Sequence, residues 1–261
     1  SQGLSFVAVR PRDIKISLTN NKFKAVLKSG QNLLNFDVFY FYAIGSNLAQ
    51  LAELAKYLHS HNKSIVEASL IAGRLPLDKF DWRDQAILPT PDYKFFFHFS
   101  KNDYDQISYP VVVKEIDSSR GLGVFKATSK RQLQEIIKQT GRKIIIQKYL
   151  ETDSDYRVLV VGNKALGAMH RFKSSDNLAS NRSPEKIVKA ELPEKVLEAC
   201  VRASKAKGLE IAGVDLVKYK NKYYVWEINA SPQCRLFEKY TGINAPAKIL
   251  EYLKSKHRKN H

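Results

Sequence analysis

The amino-acid sequence predicts a mixed α/β fold, α+β in parts, and three stretches carry that prediction. Residues 36–67 read as strand, helix, strand, the βαβ pattern of a parallel pair. Residues 110–147 hold two apolar runs on either side of a capped helix. Residues 157–169 and 214–228 each read as a pair of strands around a short polar turn.

Taken in order, Phe6 to Val9 and Ile14 to Leu18 read as short strands, the second with clear alternation. Phe36 to Ile44 is a continuous apolar run rich in aromatics, the pattern of a buried strand. Gly45-Ser46-Asn47 offers a turn and an N-cap, and Leu48, Leu51, Ala55 and Leu58 form the inner face of the next helix. Ser64 to Glu67 is the following strand. Proline and charge cluster from Leu75 to Asp92 and mark a boundary. Pro110 to Lys114 is a buried strand that ends on a lysine. Ser129 with Gln132 makes a capping box for a helix that runs to Thr140 and stops at Gly141. Ile144 to Gln147 is another strand. A third region starts near Asp155, where Arg157 to Val161 and Ala165 to Met169 form a hairpin around Gly162-Asn163-Lys164. A helix opens at Pro193, its first residue, and is closed by Gly208. A last helix covers Pro246 to Lys254. The expected domains are 1–75, 76–150 and 151–261.

The bulk composition narrows the function classes. The 261 residues are 44% hydrophobic, which suits a globular chain. No apolar run approaches the length of a bilayer span, so no membrane role is expected. Ser1-Gln2-Gly3 shows no signal-peptide pattern and is compatible with a tag remnant. Cys200 and Cys234 make no disulfide framework, and Cys200 continues an apolar face with Val196, Leu197 and Val201. The expected compartment is a reducing cytoplasm. Lys and Arg number 43 against 26 Asp and Glu, a net +17. Such a field attracts nucleotides, nucleic acid, a ribosome or an acidic protein, or reflects solvated lysine-rich faces.

The most informative stretch is Val214-Asp215-Leu216 followed by Val225-Trp226-Glu227-Ile228-Asn229. A hairpin centred on Asn221 places Asp215 opposite Glu227, with Cβ atoms about 5 Å apart. Glu227 and Asn229 then share one face, while Trp226 and Ile228 share the other. Two carboxylates and an amide oxygen converge, and such a cluster calls for a cation. Hard oxygen donors suit Mg²⁺ between carboxylates and nucleotide phosphates. A second signal is Lys114 to Val124, a lysine at a strand end followed by a small polar loop with Gly121 and Gly123. Glycines let backbone amides approach an anion, and the lysine adds a point charge. Taken alone, the loop is also the pattern of a plain hairpin.

These segments, with Gln147-Lys148-Tyr149-Leu150, Asp155 to Gly162, Glu227 to Pro232 and Glu238 to Ile243, occur in an order that resembles the ATP-grasp superfamily. The resemblance is to its RimK-type α-L-glutamate and peptide ligases, over positions 75 to 252. It implies an ATP-grasp fold, with nucleotide between two α+β domains and a shortened N-terminal α/β domain. It implies ATP with Mg²⁺ or Mn²⁺ as cofactors. Lys79 and Lys114 would contact phosphates, under a flap that includes Ser118, Ser119, Gly121 and Gly123. Gln147, Lys148, Tyr149 and Leu150 would line the adenine pocket, and Asp155 would bind ribose. Arg171 and Asn181 would face the transferring phosphate and the acyl group. Asp215, Glu227 and Asn229 would hold metal.

The implied reaction joins an amine to a carboxylate through an acyl phosphate, with an amino acid and an acidic peptide or protein as partners. Lys148, Arg120 and the glycine-free Ser231 to Leu236 depart from the family pattern. The last departure bears on the donated amino acid. The rival expectations are a protein of this fold that binds RNA or the ribosome through its charge, and a small-molecule ligase of the D-alanine–D-alanine kind. Members of the superfamily are often homo-oligomers. None of the six histidines sits in a catalytic constellation, and a surface role is expected for His170.

Overall fold

The structure is a computed structural model that describes residues 5–20, 22–42, 44, 47–72, 88–96, 99–115, 123–140, 144–173 and 184–258. The chain divides into two compact units, Ser1–Leu75 with Leu250–His261, and Pro76–Ile249.

In the first unit, β1 (Ile14–Thr19) and β2 (Lys22–Leu27) form an antiparallel hairpin. The strands β3 (Val38–Tyr40) and β4 (Ser64–Val66) pair in parallel, with α1 (Leu48–Ser60) between them in sequence. That is the βαβ unit expected from the periodicity. The apolar run from Phe36 to Ile44 yields a strand of only three residues, because Leu33–Asn35 form a 3-10 turn that Phe36 closes. Phe6 to Val9 form no strand, and their large side chains are exposed. Leu51, Leu54, Ala55 and Leu58 on α1 pack with Ala25, Leu27, Leu33, Ile65 and Leu70, the last from the short α2 (Ala68–Ile71). A fully buried leucine such as Leu54 or Leu58 contributes about 1.5–3 kcal/mol.

The second unit holds two antiparallel sheets. The first, ordered β5-β8-β6-β7, contains β5 (Tyr93–Phe96), β6 (Val111–Glu115), β7 (Val124–Ala127) and β8 (Ile144–Lys148). Val111, Val113, Ile144 and Ile146 face Leu133 and Ile136 of α3 (Lys130–Thr140). Val112, Lys114, Ile145 and Gln147 alternate with them onto the opposite face, and all four are buried. The unbroken apolar runs in the sequence therefore reflect a sheet covered on both sides. The capping box of α3 is displaced by one residue. Ser129 Oγ accepts from the Gln132 amide, but Gln132 Oε1 accepts from the Thr128 amide and hydroxyl.

The second sheet is ordered β11-β10-β9-β12-β13, from β9 (Ser154–Val161), β10 (Lys164–Lys173), β11 (Pro184–Ala190), β12 (Ile211–Tyr219) and β13 (Lys222–Asn229). One face packs Val158, Val160, Ala168, Val214, Leu216, Val225 and Ile228 against Val196, Ala199, Cys200 and Ala203 of α4 (Glu194–Ala206). Burial pushes the Cys200 thiol up to about 12, so it behaves as a core residue. Pro193 caps α4 rather than opening it, and Gly208 follows with a left-handed φ of 72°. The helices α5 (Cys234–Thr241) and α6 (Ala245–Arg258) complete the described chain. No described helix is long and apolar enough to cross a membrane.

A buried ionic row on the second sheet

The register of the second sheet builds the candidate site. Met169, Arg157, Asp215 and Glu227 lie directly opposite one another across β10, β9, β12 and β13. Cross-strand partners point to the same face, so this row lies on the side away from α4. Asp155 sits two residues before Arg157 on that face and pairs with Arg171 of β10.

The expected pairing of Asp215 with Glu227 is present, but it is reached by a different route. The turn is Lys220-Asn221, with φ of 47° and 62°, since Tyr219 pairs with Lys222. A β-bulge restores the register. Asp215 pairs with Glu227 and Leu216 with Val225, which leaves Trp226 as the extra residue. The bulge also corrects the expected facing. Val225 and Ile228 are three apart, yet both pack in the α4 core. Trp226 does not share a face with Ile228; its ring lies 4.4 Å from Lys114 Nζ of the first sheet.

Asp215 is only 2% exposed and accepts four hydrogen bonds. Arg157 donates from Nε to Oδ1 at 2.5 Å and from Nη2 to Oδ2 at 2.6 Å. Arg171 donates from Nη2 to Oδ1 at 2.9 Å, and Asn229 from Nδ2 to Oδ2 at 3.3 Å. Arg171 also donates from Nε to Asp155 Oδ1 at 2.6 Å. Two guanidiniums and two carboxylates thus form a neutral buried quartet. Burial alone would raise the Asp215 pKa, but Arg157 and Arg171 outweigh it and hold the carboxyl below its ordinary value. Burial would lower the Arg171 pKa, and Asp215 with Asp155 raise it instead. Gly213 makes the arrangement possible. A Cβ there would sit 3.0 Å from Arg157 Cδ and 3.3 Å from Pro232 Cβ, so any larger residue would have to push the arginine stem or Pro232 aside.

The donor set can be tested against a hard divalent cation. Two carboxylates and an amide meet the oxygen preference of Mg²⁺ or Mn²⁺. Among the described residues no three His, Cys, Asp or Glu side chains form a metal cluster, so the amide of Asn229 has to be counted. A carboxylate offers about four acceptor positions, and those of Asp215 are all used. The weakest donor is Asn229 Nδ2. A half-turn of that amide removes the donor and presents Oδ1 beside Asp215 Oδ2, with both arginines in place. Among the described residues the Glu227 carboxylate has no side-chain partner. With that single torsion changed, the residues fit the ion.

The remaining expected residues divide into described and undescribed. Lys79, Ser118, Ser119, Gly121 and Asn181 lie outside the described residues. Gly123 has a φ of 69°, and its carbonyl accepts from the Glu115 amide. Lys114 is buried at the end of β6 and meets Trp226. Gln147 is buried; its Nε2 donates to the Pro91 carbonyl at 3.3 Å, and its Oε1 has no partner among the described residues. The Lys148 side chain is exposed, while its amide donates to the Asp92 carbonyl. Tyr149 lies under Lys126 Nζ at 4.0 Å, and Leu150 is buried. His170, expected at the surface, is half-buried: it stacks on Tyr156 at 4.2 Å and contacts Phe172.

Arg157, Gly213 and Trp226 were not anticipated from the sequence. Arg157 had a legible signal, a charged residue inside an apolar strand, the same argument that singled out Glu227.

Comparison with known proteins identifies the family and the fold. The family model for the RimK-like ATP-grasp domain matches residues 99–253. A probable alpha-L-glutamate ligase of Haemophilus influenzae strain PittEE is 33% identical over 156 residues, covering 56% of this chain and 51% of the relative. One from Picosynechococcus is 35% identical over 150 residues, covering 55% and 50%. The chain spans about half the length of the curated relatives it matches. The solved ATP-grasp ligase PsnB, complexed with a minimal precursor, superposes with a TM-score of 0.68 at 18% identity, over 95% of this chain and 87% of that one. The D-alanine–D-alanine ligase of Bacillus anthracis complexed with ATP gives 0.64 at 18%, over 86% and 79%. The two sheets of the second unit are those of an ATP-grasp fold, and the chain belongs to the RimK-like ATP-grasp family.

Proposed function

We propose that this protein is an ATP-dependent carboxylate–amine ligase that joins an amino acid to the carboxylate of a peptide or protein. The observation that carries the reading is the buried quartet of Asp155, Arg157, Arg171 and Asp215 beside Glu227. A buried ion pair is often no more stabilising than apolar residues of the same volume. Four such groups on one face, with Lys114 reaching over the neighbouring Trp226, are better explained by chemistry that handles phosphate charge. The names of the curated relatives, probable alpha-L-glutamate ligases, support the reaction class. PsnB has been solved with minimal precursor, Mg and ADP, which supports a peptide acceptor and a magnesium nucleotide.

The difficulty of the reaction is that a carboxylate must approach the γ-phosphoryl group, anion against anion. A carboxylate oxygen of the acceptor attacks the γ-phosphorus, the bond to the β-bridging oxygen breaks, and ADP leaves. The amine nitrogen then attacks the acyl carbon, the bond to the phosphate oxygen breaks, and the amine proton passes to solvent. Asp215, Glu227 and Asn229 would hold the divalent ion, which when bound offsets phosphate charge and keeps the oxygens in line. Arg157 fixes the plane of the Asp215 carboxylate through its fork. Arg171 is anchored by Asp155 and Asp215, so its buried charge would be held in place on the face where the transferring phosphoryl group would lie. Lys114 contributes a fixed charge near the phosphates, and Gln147 Oε1 offers a buried acceptor to the base.

The test is incubation with ATP, magnesium, single amino acids and acidic peptides, read as ADP release and a matching mass gain on the peptide. Glu227→Ala is expected to abolish both. No ADP in any pairing, or undiminished turnover in Glu227→Ala, refutes the proposal.

A further inference from the structure

The first unit contains a groove that the proposed chemistry does not use. It lies between β1 and the first half of α1 and encloses about 580 Å³, within the usual range for ligand sites. Ile14 and Ile16 of β1 form one wall, and Leu51 with Leu54 form the floor. Arg10 and Arg12 stand at its rim. Neither arginine forms an ion pair among the described residues; Asp13, whose carboxyl feels both at longer range, is bonded to Lys28 at 3.0 Å. Seven large apolar side chains are exposed among the described residues, and five of them lie between Phe6 and Leu18. Apolar exposure concentrated in one short segment marks a contact surface. Among the described residues β1 pairs only with β2, so its outer edge carries unused backbone donors and acceptors.

We propose that this groove docks an acidic peptide segment in extended form, as an added strand on β1. An extended chain is the ligand that satisfies a strand edge along its length while placing alternate side chains in a groove. Its apolar side chains enter between Ile16 and Leu54, and its carboxylates meet Arg10 and Arg12 in charge-assisted hydrogen bonds. A nucleic acid gains nothing from the apolar floor. A second copy of the chain would bring its own Arg10, Arg12 and Lys15 against the same charges. The inference does not depend on turnover, and it is tested without nucleotide.

The probe is a dye-labelled, end-capped peptide of six residues, the length of β1, alternating leucine and glutamate. It is titrated into the 261-residue chain by fluorescence anisotropy. Saturable binding is expected. The pair Arg10→Glu and Arg12→Glu should weaken it by about tenfold or more, as should Ile16→Lys. All three positions are exposed, and circular dichroism and the thermal midpoint check that the fold is kept. The pair Lys220→Glu and Lys222→Glu, on the other hairpin, should change it by less than about twofold. A peptide with lysine in place of glutamate, or with alternate backbone amides methylated, should lose binding. No binding of the probe, an equal loss in the Lys220 and Lys222 variant, or a dimer in sedimentation that Ile16→Lys disperses would each overturn the proposal.

Discussion

Two hairpins in this molecule are built on the same local rule and have opposite fates. β1–β2 and β12–β13 both close over two residues, with Thr19 opposite Lys22 and Tyr219 opposite Lys222. Asn20, Lys220 and Asn221 all adopt left-handed φ, the conformation a tight hairpin turn requires. β1 alternates Ile14, Ile16 and Leu18 with polar residues, yet most of it is exposed. β12 carries a carboxylate in its middle, yet every residue from Ile211 to Val217 is buried. The difference lies in the neighbours. β12 has β9 on one edge, β13 on the other and α4 on one face, whereas among the described residues β1 pairs with β2 alone and only Ile14 of it packs on the α1 core. Alternation tells that a chain is extended. It does not tell what will cover it. A charged residue buried on the covered hairpin, as Asp215 is, must therefore find partners, and an exposed one on the open hairpin need not.

The sharpest way to break this comparison is at Arg157. Arg157→Ala removes both hydrogen bonds of the fork on a carboxylate that is 2% exposed and leaves Asp215 with Arg171 and Asn229. Removing one partner of a buried pair costs about 3–5 kcal/mol. The expected result is a fall of that size in the urea unfolding free energy, together with loss of ligase turnover. A change under about 1 kcal/mol would show that water reaches Asp215 and that the covered hairpin is not covered.

Gly213→Ala tests the same row more gently. The new methyl must push Arg157 Cδ or Pro232 aside, and overpacking of this kind costs about 1–3 kcal/mol. A loss of turnover larger than the loss of stability implies would show that the position of the Arg157 fork matters to the reaction.

How much of this was legible in the sequence follows from the same contrast. The Asp215–Glu227 pair could be read because cross-strand registry is a property of the hairpin itself. Even so, the residue count was right through two offsetting deviations, a turn displaced by half a residue and the extra Trp226. The facing of Trp226 could not be read, because the residues around it carry no signal of a bulge. The α4 core was legible from period alone, Cys200 included. Arg157 was passed over because its partner lies 58 residues away, on a strand that becomes adjacent only in the sheet. His170 was expected at the surface although Phe172, two residues on, shares its strand face; Tyr156 comes beside it only through the pairing of β9 with β10.

His170 gives a smaller effect, read against pH. Burial lowers its pKa below the ordinary 6.5, with Asp153 and Asp155 opposing. Its Nε2 is buried without a partner, so a proton there has nowhere to donate. The unfolded chain therefore binds a proton that the folded chain resists. The contribution of the site to stability is complete above pH 6.5 and is lost as pH falls from there toward the folded pKa. His170→Phe keeps the aromatic stack and removes the proton. The thermal midpoint of the variant should fall less between pH 7.5 and pH 5 than that of the parent chain, and equal slopes would place the acid sensitivity elsewhere.

The smallest effect is expected on the open hairpin. Leu18 is 69% exposed, and no side-chain contact in the first core uses it. Leu18→Ser removes apolar surface that water already reaches, so the unfolding free energy should move by no more than about 0.5 kcal/mol. Serine also keeps the strand's backbone pairing with Phe23 intact. A larger loss would mean that this face of β1 is covered in solution. A null result in the isolated chain, joined to a weaker anisotropy signal with the acidic peptide, would show instead that this face has a use only when a partner lies on it. The two hairpins would then differ in when they are covered: β12 during folding, and β1 on binding.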